Sequence, residues 1–189
     1  MPSDAKRVPG LGSALVFAYL NRSFCHAQLG QFDKARADGQ KAMQLDPSAI
    51  HNAFTQAIAN EPSQPIHYQN RAWFFLELQD WRAALADCDK AIELDCTQAF
   101  SFNQRASAHA GLKNFEQALA DYTRALELDP GQPMTYFSRA GVHQALGNPA
   151  DAAADYSEAI RLDRELGNST GNVNLPWKLR GGNQLPDRN

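Results

Sequence analysis

The chain has no surplus of positive charge: 18 Lys and Arg stand against 21 Asp and Glu, for a net charge of −3. Such a balance gives no electrostatic hold on nucleic acid or an anionic membrane. Cysteine is scarce and odd in number, with Cys25, Cys88 and Cys96 at spacings that match no metal-ligand pattern. They read as small buried or half-buried side chains in a reducing compartment, which makes the expected location cytoplasmic. Long apolar runs are missing too, and nothing approaches the ~18 residues of a membrane span. Residues 11–20, LGSALVFAYL after Lys6 and Arg7, resemble the apolar part of a signal peptide, yet no small-x-small cleavage pattern follows directly and the same residues fit a helix. No nucleophile elbow, phosphate loop or HExxH pattern occurs, so neither a catalytic constellation nor a cofactor is expected.

What the chain does have is a period. In residues 99–130, Phe115, Ala118, Leu119, Tyr122, Ala125 and Leu126 recur at helical steps, as do Phe102, Ala106 and His109 before a turn. The pattern returns 34 residues earlier and 34 residues later, which predicts an array of helical hairpins. At 43% hydrophobic residues, the chain can bury a continuous core, shared as a strip between neighbouring hairpins. Helices are predicted over 13–29, with Ser13 as cap and Gly30 as stop, then 32–46, 48–60, 65–78, 81–95 capped by Asp80, 99–112, 115–129, 133–146 and 149–162. Residues 1–12 read as a loose end, 13–166 as the repeat domain (repeats 16–48, 65–98, 99–132 and 133–166), and 167–189 as an irregular tail or linker. The first two hairpins start 49 residues apart instead of 34, and the surplus is an unpaired helix over 48–60. An odd helix reverses the up-down alternation, so a kink or rotation of the first hairpin is expected after it.

Small residues fall in columns: Ser23, Ala72, Ala106 and Ala140 against Ala35, Ala84, Ala118 and Ala152, with a third column of Ala42, Ala91, Ala125 and Ala159. These mark the closest helix approaches, where a larger side chain would push the axes beyond about 8–10 Å. Tyr19, Tyr68, Phe102 and Tyr136 fill the space beside them. On these residues the chain resembles the tetratricopeptide-repeat family over about three quarters of its length. The family's helix-ending Pro is present as Pro47 and Pro130 and replaced by Cys96 and Arg164; its second-helix aromatic is Tyr122 and Tyr156, replaced by Gly39 and Cys88. The resemblance implies an all-α, right-handed superhelical solenoid of antiparallel helix hairpins.

Two polar columns accompany the small ones. Arg22, Arg71, Arg105 and Arg139 recur with Asp38, Asp87, Asp121 and Asp155, which predicts a ladder of ion pairs, with an anion site as the rival reading. The expected pairing is Asp87 with Arg105 and Asp121 with Arg139, between repeats, with pairing inside a repeat as the alternative. His26, His109 and His143 share a column with Phe75. Neighbouring repeats hold such residues roughly a helix diameter apart, too far for ligands at about 2 Å from one metal, so packing is the expected role.

In the family, the first helix of each repeat lines a groove that binds a segment of another protein. Here that implies Phe17, Leu20, Asn21, Phe24, Ile66, Gln69, Asn70, Trp73, Phe100, Asn103, Gln104, Met134 and Phe137 as the peptide-binding groove, with Trp73 as its anchor. One subfamily clamps the acidic tails of chaperones, and residues 68–95 are similar to its middle repeat, with Asn70 in place. Leu20, Phe24, Phe100 and Gln104 stand where that clamp has Lys, Asn or Arg, which makes a co-chaperone adaptor the lesser expectation. The leading expectation is a non-enzymatic scaffold that binds a peptide segment of a partner protein. The alternative is a regulatory or targeting module of a larger enzyme or of a secretion or assembly machine. Self-association through the terminal repeats is a further expectation. Leu175, Trp177 and Leu179 form an apolar cluster in the tail that would lie in the groove or, more directly, over the last hairpin.

Overall fold

The computed structural model describes residues 11–28 and 32–170, all but the connections in helices: α1 (Leu11–Gln28), α2 (Phe32–Leu45), α3 (Pro47–Asn60), α4 (Pro65–Glu77), α5 (Trp81–Leu94), α6 (Ala99–Gly111), α7 (Phe115–Leu128), α8 (Pro133–Ala145) and α9 (Pro149–Thr170). Residues 1–10 of the predicted loose end 1–12, the turn at Gly30 and residues 171–189 of the predicted tail 167–189 lie outside the described residues. Among the described residues there is no strand, and no helix is long and apolar enough to cross a membrane. The fold is all-α.

The chain divides into two compact units, Met1–Ser63 and Gln64–Asn189. In the first, α1 pairs with α2 and the surplus helix α3 packs on both. Pro47 ends α2 and also opens α3, where a missing N–H costs nothing, and the Asp46 carboxylate accepts from the Ala49 N–H at 3.0 Å. The second unit stacks three hairpins, α4–α5, α6–α7 and α8–α9. Each of α5 and α7 packs on its own first helix and on the first helix of the next hairpin. First helices also touch one another, α4 on α6 and α6 on α8, whereas α5, α7 and α9 do not meet one another among the described residues. The first helices are therefore crowded on the inside of a curved stack and the second helices are splayed outside. This is a helical solenoid.

The small columns sit at the closest approaches. Ala72, Ala106, Ala140, Ala84 and Ala118 are fully buried, and Ala152 nearly so; Ala42, Ala91, Ala125 and Ala159 are likewise buried. Tyr68 and Phe102 are buried beside them. Cys88, taking the aromatic position of its repeat, is fully enclosed, and burial pushes its thiol pKa up to about 12. One close approach has no counterpart in the repeat pattern: the Trp81 ring lies against Gly111, where a Cβ would stand 2.4 Å from the indole. The next repeat carries the smaller Phe115 and can keep Ala145 at the corresponding position.

The turns inside the three hairpins are one device. Gln79, Lys113 and Gly147 each have a left-handed φ, +58°, +62° and +77°. The N–H groups of Asp80, Asn114 and Asn148 reach back to the carbonyls of Phe75, His109 and His143, each at 2.9 Å, and close a Schellman cap. Only the last repeat uses the residue this backbone favours. Replacing Lys113 by Gly should stabilise the fold by about 0.5–1 kcal/mol in a urea melt, and Gly147→Ala should cost about as much. A Cβ at Gly147 meets nothing within 4 Å, so the loss there would be conformational. Between hairpins the connection is different: Asp95 accepts from Thr97 N–H and Oγ1 and from Gln98, and Asp129 from Gly131 N–H and Gln132.

Two predicted ends move. Helix α1 begins at Leu11, ahead of the expected cap at Ser13, and α9 runs on to Thr170 instead of stopping at 162. The reason for the second lies at Asp163. Its counterparts Asp95 and Asp129 leave the helix to build a turn with the Thr, Gly and Gln residues that follow them, but none of these residue types stands at the three positions after Asp163. Instead Arg161 bonds Glu158 and Glu165 at 2.5 and 2.6 Å, one turn before and after it, which supports continuation.

Candidate functional site

The inner face of the second unit is built from α4, α6 and α8. Their sequences contain no Lys, and each holds one Arg. Every one of those Arg side chains is committed to a carboxylate on the second helix of its own hairpin. Arg71 holds Asp87, Arg105 holds Asp121 and Arg139 holds Asp155, each through two hydrogen bonds of 2.7–2.8 Å from Nε and Nη2. Arg22 grips Asp38 in the same way in the first unit. These bonds drive the guanidinium pKa values further above their usual range, most of all through the Asp hydrogen bonds.

The expected pairing between repeats, Asp87 with Arg105 and Asp121 with Arg139, is thus replaced by pairing within each repeat. The Arg and Asp columns face each other across the hairpin, 16 residues apart, and two-pronged geometry is satisfied there. The tie between repeats exists, but on the third prong. Arg105 Nη1 donates to Asp89 of the preceding hairpin at 2.8 Å, and Arg139 Nη1 to Thr123 at 3.1 Å. Asp89 and Thr123 lie two residues beyond the Asp column. Rings complete the arrangement: the Arg22, Arg105 and Arg139 guanidinium carbons sit 5.2–5.6 Å from the ring centroids of Tyr19, Phe102 and Tyr136, three residues earlier in each helix. With these side chains spent on structure, the columns make a poor anion site.

A second ladder, not anticipated from the sequence, joins the first helices directly. Gln69 Nε2 donates to Ser101 Oγ at 2.8 Å, and Asn103 Nδ2 donates to Thr135 Oγ1 one repeat later. Gln104 Nε2 donates to the Gln69 carbonyl at 3.0 Å. The signal was available as an amide followed, 32 residues on, by a hydroxyl in both steps. Gln69 and Gln104 are buried by these bonds, so two of the predicted groove residues serve helix-to-helix packing and are withdrawn from any partner.

The other predicted groove residues separate by exposure. Ile66 and Phe100 are exposed, at 46% and 53%, and Met134 continues their 34-residue column as a half-buried side chain. Asn70 is exposed, and Asn103 and Trp73 are half-buried. Phe137 is half-buried because its ring packs edge-on against Tyr156 of α9 at 5.4 Å. In the first unit, Leu20 is half-buried and Asn21 exposed; Phe17 and Phe24 lie on α1 with side chains outside the described residues. Of the His column, His109 and His143 are half-buried. His143 stands 3.9 Å from both Asp151 and Asp155, and no group among the described residues has the makings of a metal site.

Curved stacks of helix hairpins held by small-residue columns define a class, the helical-repeat interaction scaffold. Within it the chain carries tetratricopeptide repeats: models of the tetratricopeptide repeat match residues 16–49 and 99–132. Among relatives, the chain is 30% identical over 93 residues to the human mitochondrial import receptor subunit TOM70, a match spanning 44% of this chain and 15% of that protein. The rat TOM70 match is 31% identical over 57% of this chain and 19% of the receptor, so the chain spans less than a fifth of these curated relatives. Among solved structures, MamA residues 41 to the end from Desulfovibrio magneticus RS-1 superpose with a TM-score of 0.57 at 14% identity, covering 84% of this chain and 98% of that one. The likeness in fold is to that solenoid.

Proposed function

We propose that the protein acts by binding, without catalysis, and that the inner face of α4, α6 and α8 takes an apolar, uncharged peptide segment of a partner protein. One observation carries the reading: Ile66, Phe100 and Met134 form an apolar column along the stack, open at Ile66 and Phe100, on helices whose Arg side chains are all tied to Asp. An exposed Phe on a rigid helix is an inexpensive place to bury a partner's side chain, since the protein loses little freedom on binding. Asn70 edges the column with an exposed amide able to bond a peptide backbone. A carboxylate tail, by contrast, would find no free cation among the first helices of this unit.

The mitochondrial receptor named above and the second tetratricopeptide domain of RPAP3, solved with an HSP90 peptide (24% identity over 55% of this chain and 97% of that one, TM-score 0.51), support a protein or peptide ligand in general terms. The chemistry of the face here favours a different ligand from the acidic sequence SRMEEVD in that complex. The reducing compartment expected from the unpaired cysteines is part of the same proposal.

Phe100 is the better residue to test than Trp73. Trp73, half-buried, would mix lost packing with lost binding on truncation, whereas Phe100 is free to report binding alone. Peptides selected from a random display library against the full chain should be rich in Leu, Met and aromatic residues and poor in Asp and Glu. Phe100→Ala should weaken them by about 2 kcal/mol with unchanged helical content. Affinity should change little with added salt, because no charge pair is made. Selection of acidic peptides, or capture indifferent to Phe100→Ala and Ile66→Ser together, would refute the reading.

A further inference from the structure

The inner face of α4, α6 and α8 has a fixed step. Gln69 bonds Ser101 and Asn103 bonds Thr135, 32 residues apart in each case, and Gln104 bonds the Gln69 carbonyl across 35. These separations bracket the 34-residue repeat, so equivalent residues on adjacent first helices stand nearly level. Ile66, Phe100 and Met134 therefore run across the three helices. Packed helices lie about 8–10 Å apart, and that distance is the step of the column. Direct hydrogen bonds between the helices keep it from stretching.

On the reading that this face binds a peptide, we infer that the ligand is an uncharged polyproline II segment, with a large apolar side chain at every third residue and proline among those between. A peptide laid across the column must present an apolar side chain at each step, always toward the protein. A β-strand fails, because its side chains alternate and same-side residues come at about 7 or 13 Å. Polyproline II returns a side chain to the same side every three residues, after about 9 Å. An α-helix also fits in length, since seven residues advance about 10.5 Å and complete nearly two turns. Two features of the face separate the two forms. A helix satisfies its own backbone, whereas polyproline II leaves its N–H and C=O groups to partners outside. Asn70 offers an exposed amide for them, one turn after Ile66. The open ring of Phe100 and the half-buried ring of Trp73, seven residues after Ile66 and so on the same side of α4, give flat apolar surface of the kind that proline-rich segments dock on. Charge agrees as well: α4, α6 and α8 hold no Lys, and their Arg side chains are tied to Asp.

The test titrates synthetic peptides against the full chain by calorimetry. All are uncharged and carry three Leu residues. In one proline-rich frame the Leu stand at every third residue; in others of equal composition they stand at every second or every fourth. An Ala-rich helical peptide carries them at every seventh. The every-third peptide should bind about tenfold or more tightly than any of the others, and Phe100→Ala should weaken it about thirtyfold. Tighter binding of the helical peptide, or of another spacing, with the same dependence on Phe100 would keep the inner face as the binding surface and overturn the polyproline II form. Equal binding at all spacings would overturn it too. If no peptide binds in a way that Phe100→Ala weakens, the inner face is not the binding surface and both readings fall.

Discussion

Arg105→Ala is expected to destabilise the second unit by about 2–3 kcal/mol, seen as a lower urea midpoint with unchanged slope. The cost comes less from the missing ion pair than from the carboxylate left behind. Asp121 is only 7% exposed, and both of its hydrogen bonds described above come from Arg105. Without them its charge stays in a place that water hardly reaches. Breaking a fully buried pair costs about 3–5 kcal/mol, and the Arg105 side chain is a quarter exposed, which lowers the figure. Arg105→Lys should recover only part of the loss, because an ammonium cannot serve Asp121 with two parallel bonds and reach Asp89 as well. The double variant Arg105→Ala with Asp121→Ala should be more stable than the sum of the single losses implies. Arg22→Ala, where the side chain is 60% exposed, should lose much less. Equal losses at Arg22 and Arg105 would show that burial of the carboxylate is not the cause.

The largest loss is expected at Ala106→Leu, about 3 kcal/mol or more and enough to unfold a marginal array at physiological temperature. Ala106 and Ala118 are both fully buried and belong to one packed cluster with Tyr122 and Val142. The added carbons can be housed only by moving α6 and α7 apart. That movement would also spoil the Arg105–Asp121 bonds, which span the same pair of helices. Ala120→Leu, on the exposed side of α7, adds the same volume and should stay within about 0.5 kcal/mol of the parent. Thermal melts of the two variants side by side test whether the position or the residue type matters.

The Trp81–Gly111 approach shows where repeat logic stops. The 34-residue columns treat each repeat as a copy, but a Trp at the start of α5 requires a Gly at the end of α6, and the next pair of positions is filled as Phe115 and Ala145. Columns average over such local exchanges. The two-residue offset of the third Arg prong, to Asp89 and Thr123, escapes them for the same reason: neither residue type recurs at that place.

The sequence by itself determined the architecture, because a helical period, a repeat length and recurring Ala leave one way for hairpins to bury their apolar faces. It also determined that Arg and Asp would meet, since two complementary columns in half-buried places must satisfy each other. Only the tertiary structure decided which Asp each Arg takes, because columns related by one repeat are equally spaced in sequence and separate only when the hairpin closes. It likewise decided the membership of the inner face. Gln69 and Gln104 read as available polar residues until α4, α6 and α8 pack side by side and their amides become the bonds between helices, while Asn70, the residue next to Gln69, is left in the open. Adjacent positions on one helix differ by about 100° of rotation, and that angle, set against a neighbouring helix, separates structure from surface.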